Sequence, residues 1–278
     1  MGSPGSPGSP DAHAATYTHG HHESVLRSHR WRTVENSAAY LLPALVGGAR
    51  VLDVGCGPGT ITVDLARHVH PGEVLGVDAA ESVIADARAL AVDEGITNVR
   101  FEPADVDALP YADGTFDVVH AHQVLQHLAD PVAALREMRR VCAPEGTVAA
   151  RDSDYQAMTW HPAVPELDRW RGLYRDLACR NGGEPDAGRH LLGWAQAAGL
   201  SEVTASASAW CFATPEDREW WGGLWADRVT RSSFAAQAVE QGLATAAELE
   251  QLAGGWRTWA AEDDGWFAVL HGEVRGLP

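Results

Sequence analysis

Lysine is absent from this sequence of 278 residues, and all 21 basic residues are arginine. The absence excludes chemistry that needs a lysine amine, namely Schiff-base formation and phosphate binding by a P-loop lysine. Acidic residues outnumber basic ones at 38 to 21, which gives a net charge of −17 at pH 7. Because that charge repels polyanions, we expect no nucleic acid and no anionic membrane among the partners.

Cysteine and long apolar runs are also scarce. Cys56, Cys142, Cys179 and Cys211 are far apart in the sequence, and no pair has the short spacing of a zinc or redox site. No apolar run reaches the ~18 residues of a transmembrane helix, and residues 1–12 lack the apolar core of a signal peptide. We therefore predict a cytoplasmic protein with reduced thiols and no metal. Its predicted oligomeric state is a monomer or a homodimer.

Short apolar runs alternate with helical patterns between residues 50 and 151. The predicted strands are Arg50–Val54, Glu73–Val77, Val99–Glu102, Phe116–Ala121 and Thr147–Arg151, and the helices between them are Thr60–His70, Ala80–Glu94 and Pro131–Val141. Because strands that alternate with helices form βαβ units, the pattern predicts a parallel sheet. Ligands bind to such sheets at the carboxyl ends of the strands.

The central motif is an apolar strand that leads through a glycine-rich loop into a helix, with the sequence VLDVGCGPGT at residues 51–60. Gly55 permits the tight turn, Gly57 lets the backbone approach a ligand, and Gly59 allows close packing of the helix on the strand. Thr60 stands where a dinucleotide-binding fingerprint requires its third glycine. The loop therefore departs from the pattern of NAD-binding proteins.

Three carboxylates accompany the first three strands. Asp53, two residues before the first glycine of the loop, would repel a pyrophosphate and attract a cation such as an ammonium group. Asp78 closes the second strand and can accept hydrogen bonds from both hydroxyls of a ribose. Asp105 follows the third strand and can accept from the exocyclic amine of adenine, with Val106 against the ring face. A ligand that has an ammonium, a ribose and an adenine in that order, and no phosphate, is S-adenosylmethionine.

Together with FDVVHAHQVLQHL at residues 116–128, these elements resemble the class I methyltransferases that use S-adenosylmethionine. They are similar to the ubiquinone/menaquinone-biosynthesis group of small-molecule methyltransferases, over about residues 15–155. The stretches 17–25 and 32–38 additionally resemble natural-product methyltransferases, including those that act on cyclodipeptides and indoles. The resemblance implies an α/β fold, a Rossmann-like class I methyltransferase sheet with helical cap insertions.

Four segments are predicted along the chain. Residues 1–14 carry a Gly-Ser-Pro repeat and are predicted to be a disordered tail, because they hold too little apolar surface to fold. Residues 15–48 form an N-terminal helical segment over the cofactor, and residues 49–153 form the cofactor-binding α/β core. Residues 154–278 supply the helical cap insertions and the remaining strands.

The outer segments contain further predicted elements. These are a helix from Ser24 to about Leu45, a helical excursion over Asp154–Asn181, a helix at Ala187–Gly199, a strand at Glu202–Phe212, a mostly helical stretch over Glu216–Gly254 and a final strand at Gly265–Val274.

The resemblance implies which residues form the site. The predicted cofactor-binding residues are Tyr17, His29, Thr33, Asp53, Gly55, Cys56, Gly57, Gly59, Asp78, Ala79, Asp105, Val106 and Ala121. The candidate catalytic residues are Tyr17, His21, His22, His122, His127 and Asp154, with Asp152 as a further candidate base. Histidine suits a base because its ordinary pKa lies near 6.5. His29 and Thr33, four residues apart, are predicted to share a helix face and to meet the methionine end of the cofactor.

Ten of the eleven tryptophans lie beyond residue 150. A cap with so many aromatic side chains predicts a flat, small-molecule aromatic substrate. The favoured acceptor is an indole or diketopiperazine carbon or nitrogen of a natural product. Three alternatives stay open: O-methylation of a quinone, phenol or polyketide, an NAD-dependent oxidoreductase, and a non-methylating cofactor-binding protein. Asp53 and the missing third glycine argue against the oxidoreductase.

Overall fold

The computed structural model describes Thr18 and residues 28–278. Its strands are β1 (Arg50–Val54), β2 (Glu73–Asp78), β3 (Val99–Pro103), β4 (Phe116–His122), β5 (Cys142–Ser153), β6 (Thr159–His161), β7 (Ser201–Phe212) and β8 (Trp266–Leu277). Its α-helices are α1 (Val34–Ser37), α2 (Thr60–Val69), α3 (Glu81–Asp93), α4 (Pro131–Val141), α5 (Pro165–Arg180), α6 (Leu191–Ala197), α7 (Pro215–Arg231), α8 (Ser233–Glu240) and α9 (Ala246–Ala261).

The strands form one eight-stranded sheet in the order β3-β2-β1-β4-β5-β8-β6, and β7 also pairs with β8. Strands β1 to β5 are parallel, whereas β8 runs antiparallel to β5, β6 and β7. The predicted fold class, an α/β Rossmann-like sheet, is confirmed. Because β1 to β4 are parallel and adjacent, their carboxyl ends meet at one edge of the sheet.

Alternate strand residues pack into different cores. Val51 on β1 contacts a cluster that includes Leu65 of α2, whereas its neighbour Leu52 contacts a cluster that includes Leu135 of α4. Successive side chains of a strand point to opposite faces, so helices cover both faces of the sheet. Both faces being buried explains why the core strands have nearly continuous apolar sequences.

The predicted strands and helices of the core are confirmed, and one strand begins well before its predicted start. Strand β5 begins at Cys142, ahead of the predicted Thr147, because Cys142 pairs with Phe116 before the register shifts. The late strands β7 and β8 and the helical stretch that became α7, α8 and α9 are confirmed as well.

Two predicted helices are wrong in part. The N-terminal helix is interrupted, because Thr33 adopts an extended conformation and caps the short α1 in a reciprocal capping box with Asn36. A 3₁₀ helix at Ala39–Ala44 follows α1. The excursion over Asp154–Asn181 contains the short strand β6, and its helix begins only at Pro165, a residue that is favoured in a first helical turn.

Helices α5, α7, α8 and α9 form a cap with its own aromatic core. Trp170 of α5 lies edge-on to Trp225 of α7 and to Trp256 of α9, with ring centroids 4.5 and 4.8 Å apart. All three rings are fully buried, and such pairs stabilise a core beyond their buried area. In the described part of the chain, no helix is both long and apolar enough to cross a bilayer.

Candidate active site

A cavity of about 440 Å³ opens where the carboxyl ends of β1 to β4 meet the cap. It is lined on the sheet side by the glycine loop and by residues that follow β2, β3 and β4, and on the cap side mainly by aromatic and apolar side chains. Of the predicted cofactor residues in the described part, those that line it are His29, Asp53, Gly55, Cys56, Gly57, Asp78, Ala79, Asp105 and Val106.

The glycine loop has the geometry that its sequence predicts. Gly57 has φ +53°, and a Cβ placed there would have His29 Nδ1 as its nearest neighbour, at 3.5 Å. The Gly57 backbone is therefore open to a ligand in the cavity. Gly59, with φ +85°, lies behind the loop, where a Cβ would come within 2.8 Å of Ala87 Cβ. Gly59 thus serves packing of α2 rather than lining the cavity.

Asp53 is a buried carboxylate with donors on both oxygens. Its Oδ1 lies 2.9 Å from His120 Nδ1, and its Oδ2 accepts a hydrogen bond of 2.6 Å from the Thr62 hydroxyl. Each carboxylate oxygen has a second lone pair. Asp53 can therefore still accept a hydrogen bond from a group in the cavity that it lines.

Asp78 ties the glycine loop to the second strand. Its Oδ2 accepts a hydrogen bond of 3.1 Å from the Gly57 amide, and its Oδ1 accepts one of 3.0 Å from the Ala80 amide. The side chain is half-buried. Two backbone amides therefore hold this carboxylate in the cavity lining, and each oxygen keeps a lone pair for a ligand.

Asp105 and Val106 lie beside each other in the cavity lining, after β3. Asp105 is exposed and accepts a hydrogen bond of 3.0 Å from the Asp107 amide, whereas Val106 is buried. This pair offers an acceptor next to an apolar surface. Ala121 lies instead within β4, fully buried, and does not line the cavity.

The described part of the N-terminal segment lies along the cavity. Ser28, His29 and Arg32 line it, and the Thr60 hydroxyl donates a hydrogen bond of 2.8 Å to the His29 carbonyl. Thr33 does not line the cavity, because its side chain caps α1. His29 and Thr33 therefore do not share a helix face. The predicted residues Tyr17, His21 and His22 lie outside the described residues.

His122 is held between two guanidinium groups. Arg151 Nη1 lies 2.8 Å from His122 Nε2 and Arg32 Nη1 lies 3.4 Å from its Nδ1, and since arginine can only donate, the shorter contact makes Nε2 an acceptor. Burial, followed by the charges of Arg32 and Arg151, lowers the pKa of His122 well below its usual range. His122 therefore lines the cavity as a neutral ring whose basic nitrogen is occupied.

His127 also lines the cavity, and burial and then the Arg32 charge lower its pKa to about 3. Asp154 does not line it, because its carboxylate forms a bidentate pair with Arg189 at 2.6 and 2.7 Å. His122 and His127 therefore line the cavity with lowered pKa values, whereas Asp154 lies outside the cavity lining.

Asp152 is fully buried near the end of β5, and it does not line the cavity. Its Oδ1 accepts from the Gln126 amide, while Oδ2 has no hydrogen-bond partner within the described residues. Burial raises the pKa of Asp152 to about 8, against the opposing effect of backbone amides.

We expect an Asp152→Asn variant to gain stability relative to the wild type as the pH rises. The folded state keeps the Asp152 proton up to about pH 8, whereas the unfolded state loses it near pH 4, so its contribution to stability falls across that interval. Urea unfolding at several pH values measures the difference. A difference between the two proteins that stays constant from about pH 5 to about pH 8 would contradict the buried, protonated carboxyl.

Several cavity residues were not predicted from the sequence. They are Ser28, Arg32, Ala80, Ala104, Gln123, Val124, Gln126, Leu128, Ser153, Tyr155, Met158, Trp210, Trp221, Trp225, Arg228 and Val269. The ten tryptophans beyond residue 150 predicted an aromatic cap. The helical pattern did not show which of their rings line the cavity. In the described ranges, no group of three or more His, Cys, Asp or Glu residues could hold a metal ion.

A comparison with protein-family models shows the family of this chain. A family model described as a methyltransferase domain matches residues 45–199, more than half of the chain. The chain belongs to the methyltransferase-domain family. Its predicted resemblance to the class I methyltransferases is confirmed, and the protein is an S-adenosylmethionine-dependent methyltransferase.

Similar proteins support the same assignment. The methyltransferase is 37% identical over 271 residues to an uncharacterized methyltransferase of Schizosaccharomyces pombe, covering 93% of this chain and 95% of the relative. It is 36% identical over 138 residues to the ubiquinone/menaquinone biosynthesis C-methyltransferase UbiE of Bdellovibrio bacteriovorus, covering 49% and 56% of the two chains. The YcgJ protein of Bacillus subtilis matches in structure with a TM-score of 0.56 at 21% identity, covering 86% and 96% of the chains. That likeness shows the fold.

Proposed function

We propose that this methyltransferase transfers the methyl group of S-adenosylmethionine to a small aromatic natural product held beneath the cap. The favoured acceptor is an indole or diketopiperazine carbon or nitrogen. The observation that carries the proposal is one cavity that joins the three carboxylates at the strand ends to the aromatic rings of Tyr155, Trp210 and Trp221. One cavity would therefore hold both donor and acceptor.

The cavity residues fit the cofactor. Asp53 offers acceptor lone pairs to an ammonium, Asp78 to the ribose hydroxyls, and Asp105 with Val106 to the adenine. The open Gly57 backbone leaves room for the ligand to pass between them. When bound, S-adenosylmethionine supplies an electrophilic methyl group on a sulfonium.

The cap side of the cavity suits a flat ring. Trp221 is buried and stacks on Phe212, with centroids 4.3 Å apart and planes at 10°. Its indole Nε1 is buried without a hydrogen-bond partner among the described residues, so Trp221 faces the cavity with its apolar ring surface. An aromatic ring packed against that surface gains about 0.5–1.5 kcal/mol beyond its buried area. The indole of a tryptophan-containing cyclodipeptide meets this requirement, as does the ring of a phenol or quinone.

The described residues contribute to methyl transfer mainly by aligning the donor and the acceptor rather than by supplying a strong base. Arg32 Nη2 donates to Gln123 Oε1 at 2.7 Å, and Gln123 Nε2 in turn donates to His271 Nε2 at 2.9 Å. Because arginine can only donate, this chain has one direction and fixes the Gln123 amide at the cavity wall. Holding two reactants in line can supply about 7–11 kcal/mol of the barrier.

We expect Trp221→Phe to raise the KM for the acceptor by roughly ten-fold and to leave cofactor affinity unchanged, because it removes part of the aromatic surface on the cap side of the cavity. Steady-state kinetics with the acceptor and the cofactor varied in turn gives the KM for each. Trp259→Phe is the matched control, since Trp259 donates to the His161 carbonyl and lies away from the cavity. Equal effects of the two substitutions on the acceptor would contradict the role of Trp221.

A turnover screen with S-adenosylmethionine that carries a labelled methyl group tests the proposed function. The panel holds tryptophan-containing cyclodipeptides, simple indoles, phenols and quinones. A labelled cyclodipeptide or indole product supports the favoured acceptor. A labelled phenol or quinone product contradicts it and supports O-methylation instead. Tight cofactor binding without label in any product would favour a non-methylating role.

A further inference from the structure

We infer that His120 and Thr62 are positioning residues for the cofactor and act through Asp53. They hold its carboxylate in the orientation that receives the ammonium of the methionine moiety. The inference rests on the proposed cofactor site and extends it to two residues that lie outside the cavity lining.

Three elements bring the side chains together. In the parallel pairing of β1 with β4, Asp53 lies directly opposite His120. Thr62 lies in the first turn of α2, immediately after the glycine loop. The resulting contacts are 2.9 Å from His120 Nδ1 to Asp53 Oδ1 and 2.6 Å from the Thr62 hydroxyl to Asp53 Oδ2.

The direction of these contacts follows from their chemistry. A carboxylate can only accept, so His120 carries a proton on Nδ1 and donates it to Asp53. Nε2 of His120 has no hydrogen-bond partner in the part of the chain that is described, so the ring makes its polar contact through Asp53. His120 and Thr62 are both fully buried. The two donors are therefore dedicated to one carboxylate.

Burial explains why the carboxylate needs two donors. Asp53 is 3% exposed, and a buried charge is costly unless it is hydrogen-bonded. One donor on each oxygen offsets part of that cost and also fixes rotation about the bond to the carboxylate. The lone pairs that face the cavity are then preorganised for a cationic donor. Loss of either donor would let the carboxylate rotate away from that direction.

Binding of two nucleosides tests the inference by calorimetry. S-adenosylhomocysteine carries the ammonium, whereas 5′-methylthioadenosine has the same adenine and ribose without the amino-acid moiety. We expect His120→Leu and Thr62→Val each to weaken S-adenosylhomocysteine by about ten-fold and to leave 5′-methylthioadenosine within about two-fold of the wild type. Binding of the second nucleoside also shows that a variant is folded.

The conservative variants are the matched controls. His120→Asn places an amide donor near the position of Nδ1, and Thr62→Ser keeps the hydroxyl, so both should bind S-adenosylhomocysteine nearly as well as the wild type. Equal loss for both nucleosides, or no loss for either, in the Leu and Val variants would overturn the positioning role. If the wild type binds neither nucleoside, the cofactor assignment itself is overturned, which separates the two failures.

Discussion

Replacing Glu273 with alanine is expected to destabilise the fold by about 3–5 kcal/mol, because it leaves a buried guanidinium without its partner. Glu273 on β8 lies opposite Arg151 on β5, and their side chains are 6% and 1% exposed with a contact of 3.3 Å. Ser206 and Ser208 also donate to the carboxylate. Burial lowers the pKa of Arg151 to about 10 against the opposing effect of Glu273.

Glu94→Ala is the matched control for this prediction. It breaks an Arg–Glu pair with Arg67 at 2.9 Å on the surface, where the two side chains are 50% and 43% exposed. Such a pair is worth at most about 1 kcal/mol. Chemical denaturation measures the free energy of unfolding of the two variants. Adding Arg151→Met to Glu273→Ala should recover part of the lost stability. Equal destabilisation by Glu273→Ala and Glu94→Ala would contradict the buried ion pair.

Asp78→Ala is expected to reduce cofactor affinity and methyl transfer by at least roughly 100-fold, since a hydrogen bond to a charged group contributes about 1.5–3 kcal/mol and the ribose would lose two. The same substitution removes the link between the glycine loop and β2, because Gly57 and Ala80 donate to that carboxylate. Calorimetric titration with S-adenosylhomocysteine and kinetics with labelled cofactor measure the two losses.

Asp107→Ala controls for the change in net charge near the site. Asp107 is exposed and does not line the cavity, although it follows the same strand as Asp105. The control variant should bind the cofactor like the wild type. A similar loss in Asp78→Ala and Asp107→Ala would mean that general charge, rather than a ribose contact, governs affinity.

Local signals in the sequence predicted where the glycine loop and the three carboxylates lie in the fold. A strand, a glycine loop and a helix occupy consecutive residues, so the chain order itself places Asp53, Gly57 and the start of α2 together. Asp78 and Asp105 were predictable because parallel strands end at the same sheet edge. These inferences need only the order of elements, and the structure confirms that order.

Contacts between distant strands were not predictable from the sequence. His120 looked like an ordinary strand residue, and only the register of β1 on β4 places it against Asp53. Likewise, the pairing of β4 with β5 puts Arg151 beside His122 and occupies the nitrogen that a catalytic base would use. Register is set by the whole sheet, so no local pattern shows which polar side chains become partners.

The interruption of the N-terminal helix has a local cause that the apolar spacing concealed. Helical periodicity runs through Trp31 and Val34, yet Thr33 between them is a strong capping residue and starts a new helix. That break turns His29 toward the glycine loop while Thr33 stays on the surface. Capping chemistry therefore outweighed periodicity at this point.

The most direct test of the cofactor site is a calorimetric titration of S-adenosylhomocysteine into the wild-type chain and into Asp53→Ala. We expect one equivalent to bind to the wild type, and the variant to bind at least about ten-fold more weakly because the ammonium loses its carboxylate. Equal affinity in the two proteins would contradict the assignment of this cavity.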